Sequence, residues 1–378
     1  MSTAVEISSS QRIQLGSLRQ KTIHLAIFGC GNVGSQLIAQ LLERQEEILK
    51  RRSLNLEIFC IANSKTMLLG ESKLDNWEEQ LNKSRQVNDV FKVIQYAKEH
   101  QLGNLVLVDN TASNALAVQY PLFVEHGFHL VSSNKIANTL SLDFYTFLRQ
   151  KLTAHTKEYL YETNVGAGLP LIDTIRLLHL SGENITRIRG VFSGSLSFLC
   201  NEFSETAISF SALLRKAVTL GYTEPDPRED LGGKDVARKL LILARELDLH
   251  NEMEDVSVQN LIPKELRKIP LPEFFDKIEV FDVPFQIKKK GLREGEVLRY
   301  VADLKGELMD EHGAHLSVGL VSVKRDSPLG QLQGTDSLFE IYTNSYGDKP
   351  IVIQGAGAGA KVTARGVFGD ILRISEKS

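Results

Sequence analysis

The sequence predicts an α/β protein: a doubly wound parallel sheet in its first part, followed by an α+β domain. Short apolar runs, such as 24–28 and 105–109, alternate with helical segments up to about residue 150. This alternation is typical of a parallel sheet covered by helices. A glycine-rich loop, Gly29-Cys-Gly31-Asn-Val-Gly34, follows the first apolar run. Later in the chain the pattern changes to strand-like runs such as 314–323, which predict the second domain.

Composition excludes several classes of protein. Of the 378 residues, 42% are hydrophobic and 24% are charged, the balance of a globular protein with a substantial core. The net charge of −3 gives no electrostatic reason for binding nucleic acid or an anionic membrane. No apolar run approaches about 20 residues, so we expect no membrane span and a cytoplasmic location.

The patterns also predict how the chain is divided. Residues 1–20 are rich in serine and glutamine and are expected to form a poorly ordered leader. We expect a nucleotide-binding domain at 21–155, completed by 355–378, and a catalytic and dimerisation domain at 156–354. The lysine run Lys288–Lys290 is expected to be a solvated face, because three adjacent lysines cannot share one site.

The glycine loop is the first candidate site. It lies between an expected strand at 24–28 and an expected helix at 36–50, the context that a G-x-G-x-x-G pattern requires. Its glycines allow a tight turn and the close approach of a pyrophosphate, and the helix N-terminus favours the anion. The loop therefore predicts a Rossmann-type dinucleotide site at Gly29, Gly31, Asn32, Val33 and Gly34.

The end of the next expected strand, 56–61, bears on the choice of cofactor. An acid that binds the ribose 2′-hydroxyl of NAD usually follows this strand, but here the residues are Ala62-Asn63-Ser64-Lys65. The missing acid and the added lysine favour NADP over NAD, with Asn63 and Lys65 as contacts. A solvated loop lysine is the alternative for Lys65. The ends of later expected strands add three expected cofactor contacts: the small polar residues Thr111 and Ser133, and Lys135, a lysine placed to reach cofactor or substrate.

The stretch from Gly221 to Lys239 carries the second candidate site. Two prolines, Pro225 and Pro227, hold its first half extended or turned, and a helical pattern with a buried face begins at Lys234. Asp235 and Lys239 lie one helical turn apart beside that face. On its own such a pair is a common surface ion pair worth about 0.3–0.5 kcal/mol. A rigid loop loaded with carboxylates beside it favours a catalytic role instead.

This stretch resembles a known family pattern. Gly-Tyr-Thr-Glu-Pro-Asp-Pro-x-x-Asp-Leu-x-Gly-x-Asp-Val-Ala-Arg-Lys is similar to the signature of homoserine dehydrogenases, with Lys234 as a small departure. The resemblance covers about 21–374. It implies NAD(P)-dependent interconversion of aspartate 4-semialdehyde and homoserine, on the route to threonine and methionine, by a homodimer. Neither the regulatory module attached to some members nor a fused aspartate kinase is expected here.

The resemblance also implies roles for single residues. Lys239 would be the acid–base residue, and Lys135, in a Ser-Ser-Asn-Lys string, would orient the substrate or relay the proton. Carboxylates would hold the substrate ammonium group, and Asp230 would support the lysines. The expected substrate-binding residues are Gly221, Thr223, Glu224, Asp230 and Asp235.

Two further stretches have roles implied by the family. The segment from Glu162 to Pro170 is similar to a monovalent-cation loop, with the glutamate and backbone carbonyls as ligands. The ligands of this cation, expected to be sodium, would be Glu162, Val165, Ala167 and Leu169. A turn that caps the helix expected at 171–180 is the alternative. Near the C-terminus, three loop glycines are expected close to the cofactor: Gly355, Gly357 and Gly359.

Other functions remain open. A dehydrogenase of the same architecture for another small hydroxy or amino substrate would need Lys239 but not the carboxylates. A non-catalytic nucleotide-sensing protein would have lost Lys239, Glu224 or Asp235, and all three are present. A phosphorylating semialdehyde dehydrogenase needs a cysteine nucleophile near a histidine. That class is disfavoured, because the three scattered cysteines are poor candidates: Cys30, Cys60 and Cys200. Their number and spacing also suggest neither disulfides nor a zinc site.

Overall fold

The computed structural model describes residues 20–70 and 74–377. The expected leader at 1–20 therefore lies, except for Gln20, outside the described residues. Within them, no helix is both long enough and apolar enough to cross a bilayer. The chain forms two six-stranded sheets with helices packed around them, so the predicted α/β class is confirmed.

The first sheet has the strand order β3-β2-β1-β4-β5-β6. Its strands are β1 (Lys21–Phe28), β2 (Leu54–Ala62), β3 (Met67–Leu69), β4 (Leu105–Asp109), β5 (Phe128–Ser132) and β6 (Tyr159–Leu160). All neighbours are parallel except β3, which runs antiparallel to β2 at the edge. The order reverses between β1 and β4, so the loops that follow these strands open a crevice at their carboxyl ends.

The second sheet has the order β12-β11-β7-β9-β10-β8. Its strands are β7 (Ile185–Val191), β8 (Val256–Val258), β9 (Glu296–Gly306), β10 (Ala314–Lys324), β11 (Ser337–Thr343) and β12 (Ile351–Gly355). Its pairs are antiparallel except β8 with β10. The α+β character predicted for this part is confirmed, and the homodimer expected here stays a prediction.

Helices cover both sheets. They are α1 (Asn32–Arg52), α2 (Trp77–Lys83), α3 (Val90–Glu99), α4 (Asn114–Ala117), α5 (Tyr120–Glu125), α6 (Leu142–Ala154), α7 (Ile172–Leu180), α8 (Gly194–Glu205), α9 (Phe210–Thr219), α10 (Arg228–Leu231), α11 (Lys234–Arg245), α12 (Leu271–Asp276), α13 (Asp282–Lys290), α14 (Pro328–Gln331) and α15 (Ala360–Lys377). The C-terminal helix α15 buries Val367, Phe368 and Ile371 in the same cluster as Leu25 and Ile27 of β1. The end of the chain therefore packs on the first sheet.

Three local predictions differ from the structure. Helix α1 begins at Asn32, four residues before the expected start, because the last residues of the glycine loop are already helical. The loop after Pro227 contains the short helix α10 instead of remaining extended or turned. Lys289 is not part of a solvated face, because its Nζ donates to the carbonyls of Phe203 and Thr206 at 2.6 and 2.5 Å. It thereby caps the end of α8, a role that the lysine run alone does not reveal.

Two glycines of the G-x-G-x-x-G loop differ in the space available for a side chain. A Cβ on Gly34 would lie 1.8 Å from the carbonyl oxygen of Gly29, whereas a Cβ on Gly31 would meet nothing within 4 Å. Gly34→Ala should therefore lower the free energy of unfolding by about 1–3 kcal/mol through overpacking. Gly31→Ala should change it by less than about 0.5 kcal/mol, and chemical denaturation of both variants measures the difference. Equal stability of the two would contradict the geometry of the loop.

Candidate active site

The lysine–carboxylate cluster predicted from the sequence is present. The Asp235 carboxylate lies between two lysines, with Oδ2 at 2.7 Å from Lys239 Nζ and Oδ1 at 3.4 Å from Lys135 Nζ. Lys135 follows β5 at the carboxyl edge of the first sheet, whereas Asp235 and Lys239 belong to α11. One carboxylate therefore links the two parts of the chain at the crevice.

The start of α11 fixes where these side chains lie. Gly233 precedes the helix with φ +72°, and a Cβ there would lie 2.2 Å from the Tyr300 hydroxyl, so only glycine fits. Lys239 Nζ also donates to the backbone carbonyl of Phe192 at 2.8 Å, and only 12% of its side chain is exposed. The ammonium group is thus held from two sides with room for one further partner.

Burial and charge act in opposite directions on this cluster. Burial raises the pKa of the Asp235 carboxyl, but Lys239 and Lys135 more than offset it, and the pKa falls well below its usual range. Burial lowers the pKa of Lys135, with Asp235 opposing the change and Lys239 adding to it. The site therefore keeps an ionised carboxylate between two lysines, one of which is easier to deprotonate than a solvated lysine.

The proline-containing loop is organised by Asp230. Its Oδ1 accepts from the Ser195 hydroxyl at 2.7 Å, and its Oδ2 accepts from the Glu224 N–H at 2.9 Å. Asp230 thus fixes the backbone at Glu224 and is not hydrogen-bonded to either lysine, unlike the role expected for it. Glu224 is exposed, and burial together with Asp230 raises its pKa. The Thr223 hydroxyl oxygen is buried and has no partner among the described residues.

Two cavities lie elsewhere in the described part of the chain. One of about 700 Å³ lies between the segment after β5 and the start of α11, lined in part by Ile136, Thr139, Gly232 and Arg238. A larger cavity of about 1460 Å³ lies beside α8 and the strands β9 and β10. Neither is lined by the two lysines or by Asp235, so the lysine–carboxylate cluster itself, and not a cavity, marks the candidate site.

The residues around the glycine loop fit a dinucleotide. The Gly31 position has open space where a Cβ would be. Helix α1 begins there without a side-chain cap and without an acid in its first turn, so its N–H groups can receive an anion. Asn110, just after β4, has a buried Nδ2 without a partner among the described residues, and its Oδ1 accepts from the Ser133 hydroxyl at 3.2 Å. Gly29, with φ +92°, packs against Asn110, so the two loops meet at the crevice.

The turn after β2 presents Lys65 to solvent. The Asn63 side chain is hydrogen-bonded within the turn. Its Oδ1 accepts from the N–H groups of Lys65 and Thr66, both at 2.7 Å. Asn88 Nδ2 donates to the Asn63 carbonyl at 2.8 Å and fixes the turn from the other side. Asn63 therefore shapes the turn, and Lys65 is exposed and free to meet a phosphate.

The Glu162–Leu169 loop differs in one respect from the prediction. The two oxygens of the Glu162 carboxylate accept from the N–H groups of Ile172 and Asp173 at 2.7 and 2.9 Å, so this side chain caps α7. Burial, with Asp173 nearby, raises its pKa to about 8. The side chain thus caps the helix, as in the alternative given for this segment, and its role as a cation ligand stays a prediction. Gly166 and Ala167 follow with φ +82° and +54°, a left-handed turn that is strained at alanine.

The C-terminal segment is fitted against this loop. Asp370 of α15 accepts from the Glu162 N–H at 3.0 Å, and burial raises the pKa of Asp370 to about 7. A Cβ on Gly168 would lie 2.7 Å from the Val362 carbonyl oxygen.

The three predicted C-terminal glycines have different surroundings. A Cβ on Gly355 would lie 3.1 Å from Leu169 Cδ2, and one on Gly357 would lie 1.9 Å from the Ser337 hydroxyl. Gly359 has φ +121° just before α15. Close packing thus explains Gly357, and the backbone conformation explains Gly359, whether or not a cofactor lies nearby.

The cysteines are unsuited to nucleophilic catalysis. Cys60 and Cys200 are buried, and burial raises the pKa of their thiols, that of Cys200 to about 12. Burial and the nearby Glu78 raise the pKa of Cys30 to about 12 as well, and its Sγ donates to the Ala62 carbonyl. A reactive cysteine needs a lowered pKa, so the semialdehyde dehydrogenase alternative loses its nucleophile.

Several site residues were not predicted. The Phe192 carbonyl and the Asp370 carboxylate reach the site from distant parts of the chain. Asn138 Nδ2 donates to Asn164 Oδ1 at 3.0 Å and joins the segment after Lys135 to the Glu162–Leu169 loop. The hydrogen bond from the Ser195 hydroxyl to Asp230 was not predicted either. No local pattern marks a carbonyl or an amide as part of a site, so only the fold reveals these contacts.

Fold and site together define a dinucleotide-binding α/β protein with a cluster of two lysines and a carboxylate where the two parts of the chain meet. Two family models match this chain: homoserine dehydrogenase, NAD binding domain, over residues 29–162, and homoserine dehydrogenase over residues 170–372. A homoserine dehydrogenase of Paracoccidioides brasiliensis is 35% identical, with 94% of this chain and 99% of that protein covered. The chain therefore belongs to the homoserine dehydrogenase family.

The chain is also similar to longer proteins and to solved structures. A bifunctional aspartokinase/homoserine dehydrogenase of Buchnera aphidicola is 40% identical over 94% of this chain, which spans 43% of that protein. The chain thus spans about two fifths of the length of such bifunctional relatives. A crystal structure of a Candida auris protein of unknown function has a TM-score of 0.85 and 34% identity, covering 94% of this chain and 99% of that one.

Proposed function

We propose that this protein interconverts aspartate 4-semialdehyde and homoserine with a nicotinamide cofactor. The observation that carries the proposal is the placement of Lys239, Asp235 and Lys135 at the crevice where the glycine loop also opens. When bound, the nicotinamide supplies or accepts the hydride, and the protein provides binding, orientation and proton transfer.

Lys239 is the proton donor in this proposal. Reduction of the aldehyde carbon produces an alkoxide, and Lys239 Nζ gives it a proton to form the hydroxyl of homoserine. In the reverse direction the neutral amine takes the same proton back. Asp235 and the Phe192 carbonyl each hold one hydrogen of the ammonium group, which leaves the third for the substrate oxygen. Lys135 shares Asp235 and orients the substrate beside it.

The carboxylates suit the charged end of an amino-acid substrate. Glu224 is exposed near the cluster, and burial together with Asp230 raises its pKa, so a cation placed beside it would favour its ionised form. We propose that the substrate ammonium group binds between Glu224 and Asp235, with Gly221 and Thr223 beside it. Asp230 acts on this pocket indirectly, by holding the Glu224 backbone.

The packing of α15 on the first sheet supports the proposed division of the chain. In this division, residues 21–155 and 355–378 bind the cofactor, and residues 156–354 carry the substrate site. The crevice between the two parts then brings Lys135 to Lys239.

The central prediction concerns Lys239. With purified protein, homoserine and oxidised cofactor, Lys239→Met should lower kcat by about 10²–10⁴-fold, because the proton transfer loses its side chain. Nicotinamide absorbance measures the rate. Lys92→Met, an exposed lysine on α3, is the control and should be unchanged. Absence of turnover in the wild type despite cofactor binding would contradict the substrate assignment and favour a dehydrogenase for another small substrate.

A second prediction concerns NADP, which we propose as the preferred cofactor. Exposed Lys65 and the lack of an acid after β2 suit a 2′-phosphate, which a carboxylate would repel. Lys65→Glu should therefore lower the kcat/KM ratio of NADP to NAD by at least about tenfold, with Lys98→Glu as a control of equal charge change. An unchanged ratio would mean that Lys65 is a solvated loop lysine that does not contact the cofactor.

A third prediction concerns a monovalent cation, which we propose binds the backbone oxygens of Glu162, Val165, Ala167 and Leu169. Neutral oxygen ligands in a left-handed turn suit sodium or another alkali ion. Replacing alkali salt with tetramethylammonium at constant ionic strength should lower the rate, and sodium should restore it.

The packing of Gly168 gives this proposal a matched pair of variants. Gly168→Ala should raise the sodium concentration required, because its Cβ would meet the Val362 carbonyl and displace the loop. Gly369→Ala, where a Cβ meets nothing within 4 Å, should not. Equal rates in both salts would overturn the cation proposal.

A further inference from the structure

A second group of chemically versatile side chains lies apart from the candidate active site. The ligand atoms of His250, Glu311 and His312 all lie within 4.8 Å of one another. His250 follows the end of α11, and the other two belong to the turn between β9 and β10. These residues have no part in the proposed catalysis or in the proposed binding of cofactor, substrate or alkali cation.

The backbone already holds the group together. The His250 N–H donates to the Glu311 carbonyl at 2.9 Å, which fixes the two segments against each other. His250 Nδ1 lies 3.1 Å from a Glu311 carboxylate oxygen, and the two imidazole rings are 5.5 Å apart at 73°. Asp310 Oδ1 accepts from the His312 N–H at 3.0 Å and stabilises the turn. The three side chains are therefore brought together before any ligand binds.

The donor set selects one class of ion. Two imidazoles and a carboxylate suit Zn²⁺ and similar divalent transition metals, whereas Mg²⁺ and Ca²⁺ prefer oxygen ligands. With bonds of about 2.0–2.1 Å, tetrahedral ligand atoms lie about 3.3 Å apart. Glu311 and His312 are exposed and can rotate to close the remaining gap.

We propose that His250, Glu311 and His312 bind a divalent transition-metal ion of the Zn²⁺ type, with water as the fourth ligand. The ion would join the segment after α11 to the β9–β10 turn. Since Asp235 and Lys239 lie in the first half of α11, metal binding after its C-terminal end would stabilise the helix that holds Lys239. The site does not depend on the proposed substrate.

Calorimetric titration of the full-length, tag-free protein with Zn²⁺ tests the proposal. We expect one saturable site, weakened by at least about tenfold in each of His250→Ala, His312→Ala and Glu311→Gln. His155→Gln, an exposed histidine at the end of α6, is the control and should bind like the wild type. Co²⁺ should give visible absorption bands with the wild type that are absent from His312→Ala, whose position in an exposed turn keeps the fold intact.

Thermal unfolding provides an independent readout, because a ligand that binds only the folded state stabilises it. Zn²⁺ should raise the thermal midpoint of the wild type and leave that of His312→Ala unchanged. Equal Zn²⁺ affinity of the wild type and the His250→Ala/His312→Ala double variant would overturn the proposal, as would the absence of a saturable site in the wild type.

Discussion

The contact on which the site depends is the Asp235 carboxylate between two lysines. Lys135 comes from the edge of the first sheet and Lys239 from α11, so without Asp235 two ammonium groups would face each other across the crevice. The carboxylate turns this repulsion into a bridge between the two parts of the chain. Its own pKa falls because both lysines stabilise the ionised form more than burial destabilises it. An ion pair between neighbouring turns of α11 thereby extends to a lysine that follows β5 of the first sheet.

The two carboxylates of the proline-containing loop, Asp230 and Glu224, also differ in their partners. Asp230 has both oxygens engaged, by Ser195 and by the Glu224 N–H, and so acts as a structural support. The Glu224 carboxylate has no such partners among the residues that the structure describes. Burial together with the neighbouring Asp230 raises its pKa, and a bound cation would favour its ionised form. Neighbouring acids of one sequence pattern therefore have different roles, set by their partners. We propose that this division leaves Glu224 available to the ammonium group of the substrate.

The sequence predicted those parts of this arrangement that depend on residues close together in the chain. The glycine loop, the buried face of α11 and the one-turn spacing of Asp235 and Lys239 are short-range patterns, and the structure confirms them. The contacts of Lys239 with Phe192 and of Asp370 with Glu162 join residues far apart in the chain, and no periodicity encodes them. The prediction for Lys289 was wrong for the same reason, and the partners of the Glu162 carboxylate at the start of α7 were not predicted. Each side chain satisfies a helix end that only the folded chain brings within reach.

A crystal structure of the protein with oxidised nicotinamide cofactor and homoserine bound would test the assignment of the active site most directly. We expect the substrate hydroxyl within hydrogen-bond distance of Lys239 Nζ and its ammonium group between Glu224 and Asp235. The carbon that bears the hydroxyl should face the nicotinamide, with the pyrophosphate at Gly31. Homoserine bound away from Lys239, with the lysine still held only by Asp235 and Phe192, would contradict the assignment of the active site.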